Sequence, residues 1–138
     1  MSWPQSLIGK KFVSGGRGPD EFDCWGLLRW VYDKHWGISL PEYCGILPGT
    51  PDATRAIAHG AEMGEWHESK QAVDGCAVGL SKHKIFHHVG VFTALDGGLV
   101  VHAYDQTGVV AQSLQSLKMN GWRRIAFFRH TLTINREP

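Results

Sequence analysis

The sequence has only three cysteines, Cys24, Cys44 and Cys76. They are too few and too scattered for a disulfide framework, and their odd number fits reduced thiols in a reducing compartment. Net charge is nearly absent: 14 Lys+Arg stand against 13 Asp+Glu, for a formal net charge of +1. Without a basic stripe, the electrostatic footprint of a nucleic-acid binder is missing. No apolar run approaches the ~20 residues of a membrane-spanning helix. The start, Met1-Ser2-Trp3-Pro4-Gln5, lacks the basic segment, apolar stretch and small-residue cleavage site of a secretory signal. These absences predict a chain made in the cytoplasm, with neither nucleic acid nor membrane as partner. Repeats, low-complexity tracts and charge blocks are also missing, which predicts a single domain over residues 1–138.

What is present argues for a packed core. The 138 residues are 43% hydrophobic and include 6 Trp, 3 Tyr and 6 Phe, which excludes disorder. A chain of this length hides roughly two-thirds of its unfolded surface, enough to fold without metal or disulfide support.

Cys24, Leu27, Leu28, Val31 and His35 recur at i, i+3, i+4, i+7 spacing and predict a largely buried helix from Cys24 to Trp36. Asp20 and Asp23 are its cap candidates, and Gly37 followed by Pro41 ends it. Residues 14–19 and 44–52 read as loops, and residues 53–64 as one further helix. From about Ala72 the period changes. His88–Thr93 and Leu99–Ala103 are β-rich runs flanking Asp96-Gly97-Gly98, a hairpin signal, and 108–111 and 124–128 supply two more strands. A helix-rich first half and a meandering antiparallel second half predict an α+β fold.

Cys24 stands where a loop becomes a helix. The amides and dipole of a helix start favour thiolate over thiol, and the thiolate is the nucleophile. Gly26 allows another segment, or a substrate backbone, to approach closely. His88 opens one strand and His102 lies near the end of the next; imidazoles so placed serve as a base and as the group orienting it. They share a face only if the connecting loop has an odd number of residues. A loop over 93–97 sets them directly opposite, and a loop over 96–98 offsets them. His35, His59, His67 and His130 carry no partner signal, and the CxxC and HExxH spacings that announce zinc are missing, so no metal and no cofactor is expected.

Three motifs occur in order: Phe22-Asp23-Cys24-Trp25-Gly26-Leu27-Leu28, His88-Val89-Gly90-Val91-Phe92 and Val101-His102-Ala103. Together they closely resemble the NlpC-type family of papain-like cysteine peptidases, nearest its phage tail-assembly branch, which has Trp after the Cys. Ile8–Gly16 and Gly37–Pro41 are similar to it as well. The resemblance implies a papain-like α+β fold, with the nucleophile at a helix start in an N-terminal helical part packed on a C-terminal antiparallel sheet. It implies cleavage of peptidoglycan stem peptides, typically at the γ-D-glutamyl–diaminopimelate bond. Cys24 is the implied nucleophile, His88 the general base and acid, and His102 the residue orienting His88. The implied substrate-binding set is Phe12, Asp23, Trp25, Gly26 and His87, and the sequence leaves open whether His87 competes with His88 as base.

Three departures stand out: Phe12 replaces the usual Tyr, Trp25 the common Ser, and Gly75-Cys76 a Gly-Asp pair. The first two leave nucleophile and base intact but bear on stem-peptide specificity. Stem peptides and other phage tail proteins are the implied partners, with action in a virion tail or on the cell wall after delivery. Two alternatives stay open: an inactive structural tail-assembly component, and an exported antibacterial cell-wall amidase.

Overall fold

The computed structural model describes residues 3–41, 65–82 and 88–134. The predicted connector at 44–52, the predicted helix at 53–64, Cys44 and His87 lie outside the described residues.

A short helix α1 (Trp3–Leu7) leads into two parallel two-residue strands, β1 (Lys11–Phe12) and β2 (Glu21–Phe22). Helix α2 (Cys24–Val31) follows and continues through a widened π-helical turn at Tyr32–Trp36 before ending at Gly37, with φ 68°. The predicted span and stop therefore hold, and only the last turn departs from α geometry. The remaining strands are β3 (Trp66–Ser69), β4 (Ala77–Ser81), β5 (His88–Thr93), β6 (Leu99–Tyr104), β7 (Gly108–Gln112) and β8 (Arg124–His130). They form one antiparallel sheet in the order β3-β8-β4-β5-β6-β7. Helix α3 (Leu114–Met119) joins β7 to β8, and a single turn, α4 (Thr131–Ile134), follows β8. None of the described helices is long and apolar enough to cross a membrane.

Alternation along the strands divides the core into two layers, because successive side chains point to opposite faces. Val89, Val91, Val101, Ala103 and Val109 pack with Leu27, Leu28 and Val31 of α2. Val78, Leu80, Phe92 and Val100 pack on the other face with Leu117 of α3 and with Trp122. Leu27, Leu28 and Val31 are wholly buried, which is worth about 1.5–3 kcal/mol for each side chain. Helix α2 lies against β5 and β6, the strands that carry His88 and His102.

The register Thr93↔Leu99 leaves a five-residue loop, 94–98, around the predicted Asp96-Gly97-Gly98 turn. The odd-number condition is met, with a register between the two the sequence allows.

Tyr32 and Cys76 meet where the widened turn of α2 touches the sheet. The Tyr32 hydroxyl donates to the Gly75 carbonyl at 2.8 Å, and burial holds its pKa far above the usual phenol value. Burial also pushes the Cys76 thiol up, from 9.0 to about 11. An acid whose folded pKa is raised stabilises the fold below its unfolded value and loses that contribution as the pH climbs to its folded value. Stability should therefore fall by about 1.4 kcal/mol per pH unit above pH 9. Urea unfolding of the parent and of Cys76→Ala between pH 8.5 and pH 10 checks this. The variant should lose most of the slope, and identical slopes would contradict the assignment.

Candidate active site

The loop ahead of α2 is organised by one carboxylate. Asp23 caps the helix: its Oδ1 accepts from the Gly26 amide at 2.6 Å. Its Oδ2 accepts from the Gly15 amide at 3.0 Å and from Arg17 Nη1 at 2.7 Å. Only 1% of Asp23 is exposed, so three donors satisfy a buried charge that would otherwise be strongly unfavourable. The Gly16 carbonyl accepts from the Asp23 amide at 3.1 Å and rests against the helix, in the space that a Cβ at Gly26 would fill. Gly26 therefore admits a segment of the chain itself. The next residue after the cap is Cys24, the first of α2, where the helix dipole favours negative charge.

Backbone pairing fixes where this helix start lies. Gly9 N–H donates to the Val109 carbonyl and Val109 N–H to the Lys10 carbonyl, each at 2.9 Å. Phe12 of β1 pairs with Phe22 of β2, two residues before Cys24. The Cys24 segment is thus tied to the end of the sheet where β6 finishes and β7 begins. Because the strands are antiparallel, β5 starts at that same end, and its first residue is His88.

His88 and His102 are brought together directly. His88 Nε2 lies 2.9 Å from His102 Nδ1, and His102 Nε2 lies 2.7 Å from Gln112 Oε1. The two histidines are diagonal neighbours on β5 and β6, with Gly90 between them. A Cβ at Gly90 would stand 3.1 Å from His102 Cβ and 2.9 Å from the Val101 carbonyl oxygen, so this glycine makes room for the pair. Both rings project toward the α3 side, where His88 stacks on Trp122 at 5.2 Å and meets Tyr104 edge-on at 5.6 Å. Burial lowers the His102 pKa, while its hydrogen bond to Gln112 pulls the other way.

Hydrogen-bond logic then sets the protons. An amide oxygen only accepts, so His102 Nε2 donates. Neutral His102 accepts at Nδ1, His88 donates from Nε2, and the basic nitrogen of neutral His88 is Nδ1.

The other expected site residues fall as follows. Phe12 is half-buried in β1, beside the Cys24 segment. Asp23 and Trp25, expected along the cleft, are each 1% exposed; the Trp25 indole donates to the Pro41 carbonyl at 3.0 Å. Their observed contacts are those of a cap and of the core. His130 packs edge-on against Trp66 at 4.9 Å, and His67 lies 2.8 Å from the Thr131 hydroxyl. Sequence reasoning missed Arg17, Gln112 and Trp122. Only Gln112 left a trace: it occupies the last alternate position of the Gly108–Gln112 run, on the face of Val110, which pairs with His102.

Helices packed on a single antiparallel sheet, with a cysteine at a helix start and a histidine pair on the strands beneath, define a papain-like α+β domain. The model of the NlpC/P60 family matches residues 9–127, and the chain belongs to that family. No curated protein matches it. Among solved structures, the NlpC/p60 domain of the peptidoglycan hydrolase SagA is similar over 89% of each chain, with 22% identity and a TM-score of 0.56. NlpC1 from Trichomonas vaginalis is similar over 91% of this chain and 40% of that one, with 20% identity and a TM-score of 0.61. At these identities the likeness is one of fold.

Proposed function

We propose that this protein is a cysteine peptidase that hydrolyses amide bonds in peptidoglycan stem peptides. The observation that carries the proposal is the 2.9 Å His88–His102 hydrogen bond, at the sheet end to which the Cys24 helix start is tied. Family membership supports the chemistry, and the peptidoglycan hydrolase named among the structural neighbours supports the substrate class.

In this mechanism Nδ1 of His88 takes the Cys24 thiol proton, and the thiolate attacks the scissile carbonyl. The Cys24 backbone N–H, at the helix start, stabilises the oxyanion. Imidazolium His88 returns the proton to the leaving amine, and water activated by His88 then hydrolyses the thioester. His102 holds the His88 ring throughout. The γ-D-glutamyl–diaminopimelate bond is the proposed target, and a phage tail is the proposed vehicle.

Digestion of purified muropeptides by the parent and by Cys24→Ala tests the proposal. The parent should release cleaved stem peptides and the folded variant none. Equal digestion by both would remove Cys24 from the mechanism, and an inactive parent would favour a structural tail component.

A further inference from the structure

The acceptor partner of His102 has a consequence for the base. Gln112 ends β7 one diagonal step from His102, and its amide nitrogen donates to Ser116 Oγ of α3 at 3.2 Å. Ser116 is itself held by the cap of α3, where its amide donates to Ser113 Oγ at 3.1 Å. With its nitrogen directed to Ser116, the carboxamide turns its oxygen to His102 Nε2 at 2.7 Å. The chain His88–His102–Gln112–Ser116 thus crosses three strands and ends on a helix cap.

We infer that Gln112 is a positioning residue, whose carboxamide oxygen fixes the tautomer of His102 and, through it, directs Nδ1 of His88 toward the nucleophile. The inference rests on the proposed role of His88 as base. Without an acceptor at Nε2, neutral His102 can carry its proton on Nδ1 instead. It would then donate to His88 Nε2, move the His88 proton to Nδ1 and block the nitrogen that must accept from Cys24. Protonation of His102 has the same effect, because imidazolium donates from both nitrogens.

Among the described residues, the ionisable groups around His102 are His88 from β5, Tyr104 of its own strand with ring centroids 6.5 Å away, and Lys82, which follows β4. Lys82 and His102 line one cavity of about 540 Å³, and Lys82 Nζ sits 4.8 Å from the Trp122 ring centroid. β7 and α3 present the neutral Gln112 and Ser116. Burial keeps His102 uncharged against the opposing pull of its hydrogen bond to Gln112.

Two substitutions separate positioning from packing. Gln112→Leu should lower kcat about ten-fold with KM unchanged, a fraction of the ~10²–10⁴-fold carried by general acid–base catalysis. Gln112→Glu sets a carboxylate against Nε2–H, favours imidazolium and should move the acidic limb of the rate profile up by about one pH unit. Nitrogen-15 NMR of the histidine rings reads the tautomers directly and needs no substrate. The parent should show Nε2–H on both His88 and His102, and Gln112→Leu a mixture at His102. An unchanged tautomer and unchanged pH profile in the folded variants would overturn the role of Gln112. The peptidase reading would still stand if Cys24→Ala abolishes the parent's hydrolysis. An inactive parent with the predicted tautomers would sink the peptidase reading and leave the tautomer lock intact.

Discussion

Replacing His88 with glutamine should lower kcat/KM on muropeptides about 10²–10⁴-fold while leaving the protein folded. Glutamine can still donate an amide hydrogen to His102 Nδ1, so the hydrogen bond now spanning 2.9 Å survives in kind. What is lost is a basic nitrogen able to take a thiol proton and return it to the leaving amine. Steady-state kinetics beside a thermal melt separates the two effects. A variant that melts like the parent and retains most of its rate would mean that another group, such as His87, is the base.

Asp23→Ala should be the most destabilising single change in the site, at about 3–5 kcal/mol. The buried carboxylate serves three donors at once: the helix cap at Gly26, the Gly15 amide and the Arg17 guanidinium. Removing it leaves a half-buried cation and two amides without their acceptor, and about 1 kcal/mol of the loss is the cap alone. Asp23→Ser keeps a cap acceptor and should recover only that part. Urea unfolding of both variants gives the comparison, and a loss below 1 kcal/mol for alanine would contradict the organising role assigned to this side chain. Because the same carboxylate fixes the helix start, hydrolysis should fall with it.

The parts of this architecture written in local periodicity were legible in the sequence. The Cys24–Trp36 helix, its end at Gly37 and the strands expected at 88–93, 99–103, 108–111 and 124–128 follow from spacing, turn residues and β-branched runs, and the last three of these strands run one or two residues further in the structure. Residues shared by several elements were not legible. Trp66-His67-Glu68-Ser69 is an edge strand whose mixed polarity gives no clean alternation, and α3 has six residues, too few for a 3.6-residue period to register.

Within the proposed site, Cys24, His88 and His102 announce themselves through residue type and motif. Gln112 does not, because an amide becomes informative only when a strand register sets it beside an imidazole. Asp23 and Trp25 show the reverse case. Their motif position suggested a cleft wall, while folding of the 13–18 loop and the segment ending at Pro41 commits both side chains to contacts inside the protein.

The central claim is that Cys24 and His88 work as one proton-sharing pair. The rate of alkylation of each cysteine by iodoacetamide, followed by peptide mass spectrometry from pH 4 to pH 10 in the parent and in His88→Gln, tests it most directly. Cys24 should react well below the pH at which Cys76 does, and His88→Gln should shift its profile up toward that of an ordinary thiol. A Cys24 no more reactive than Cys76, or a profile indifferent to His88, would contradict the pairing.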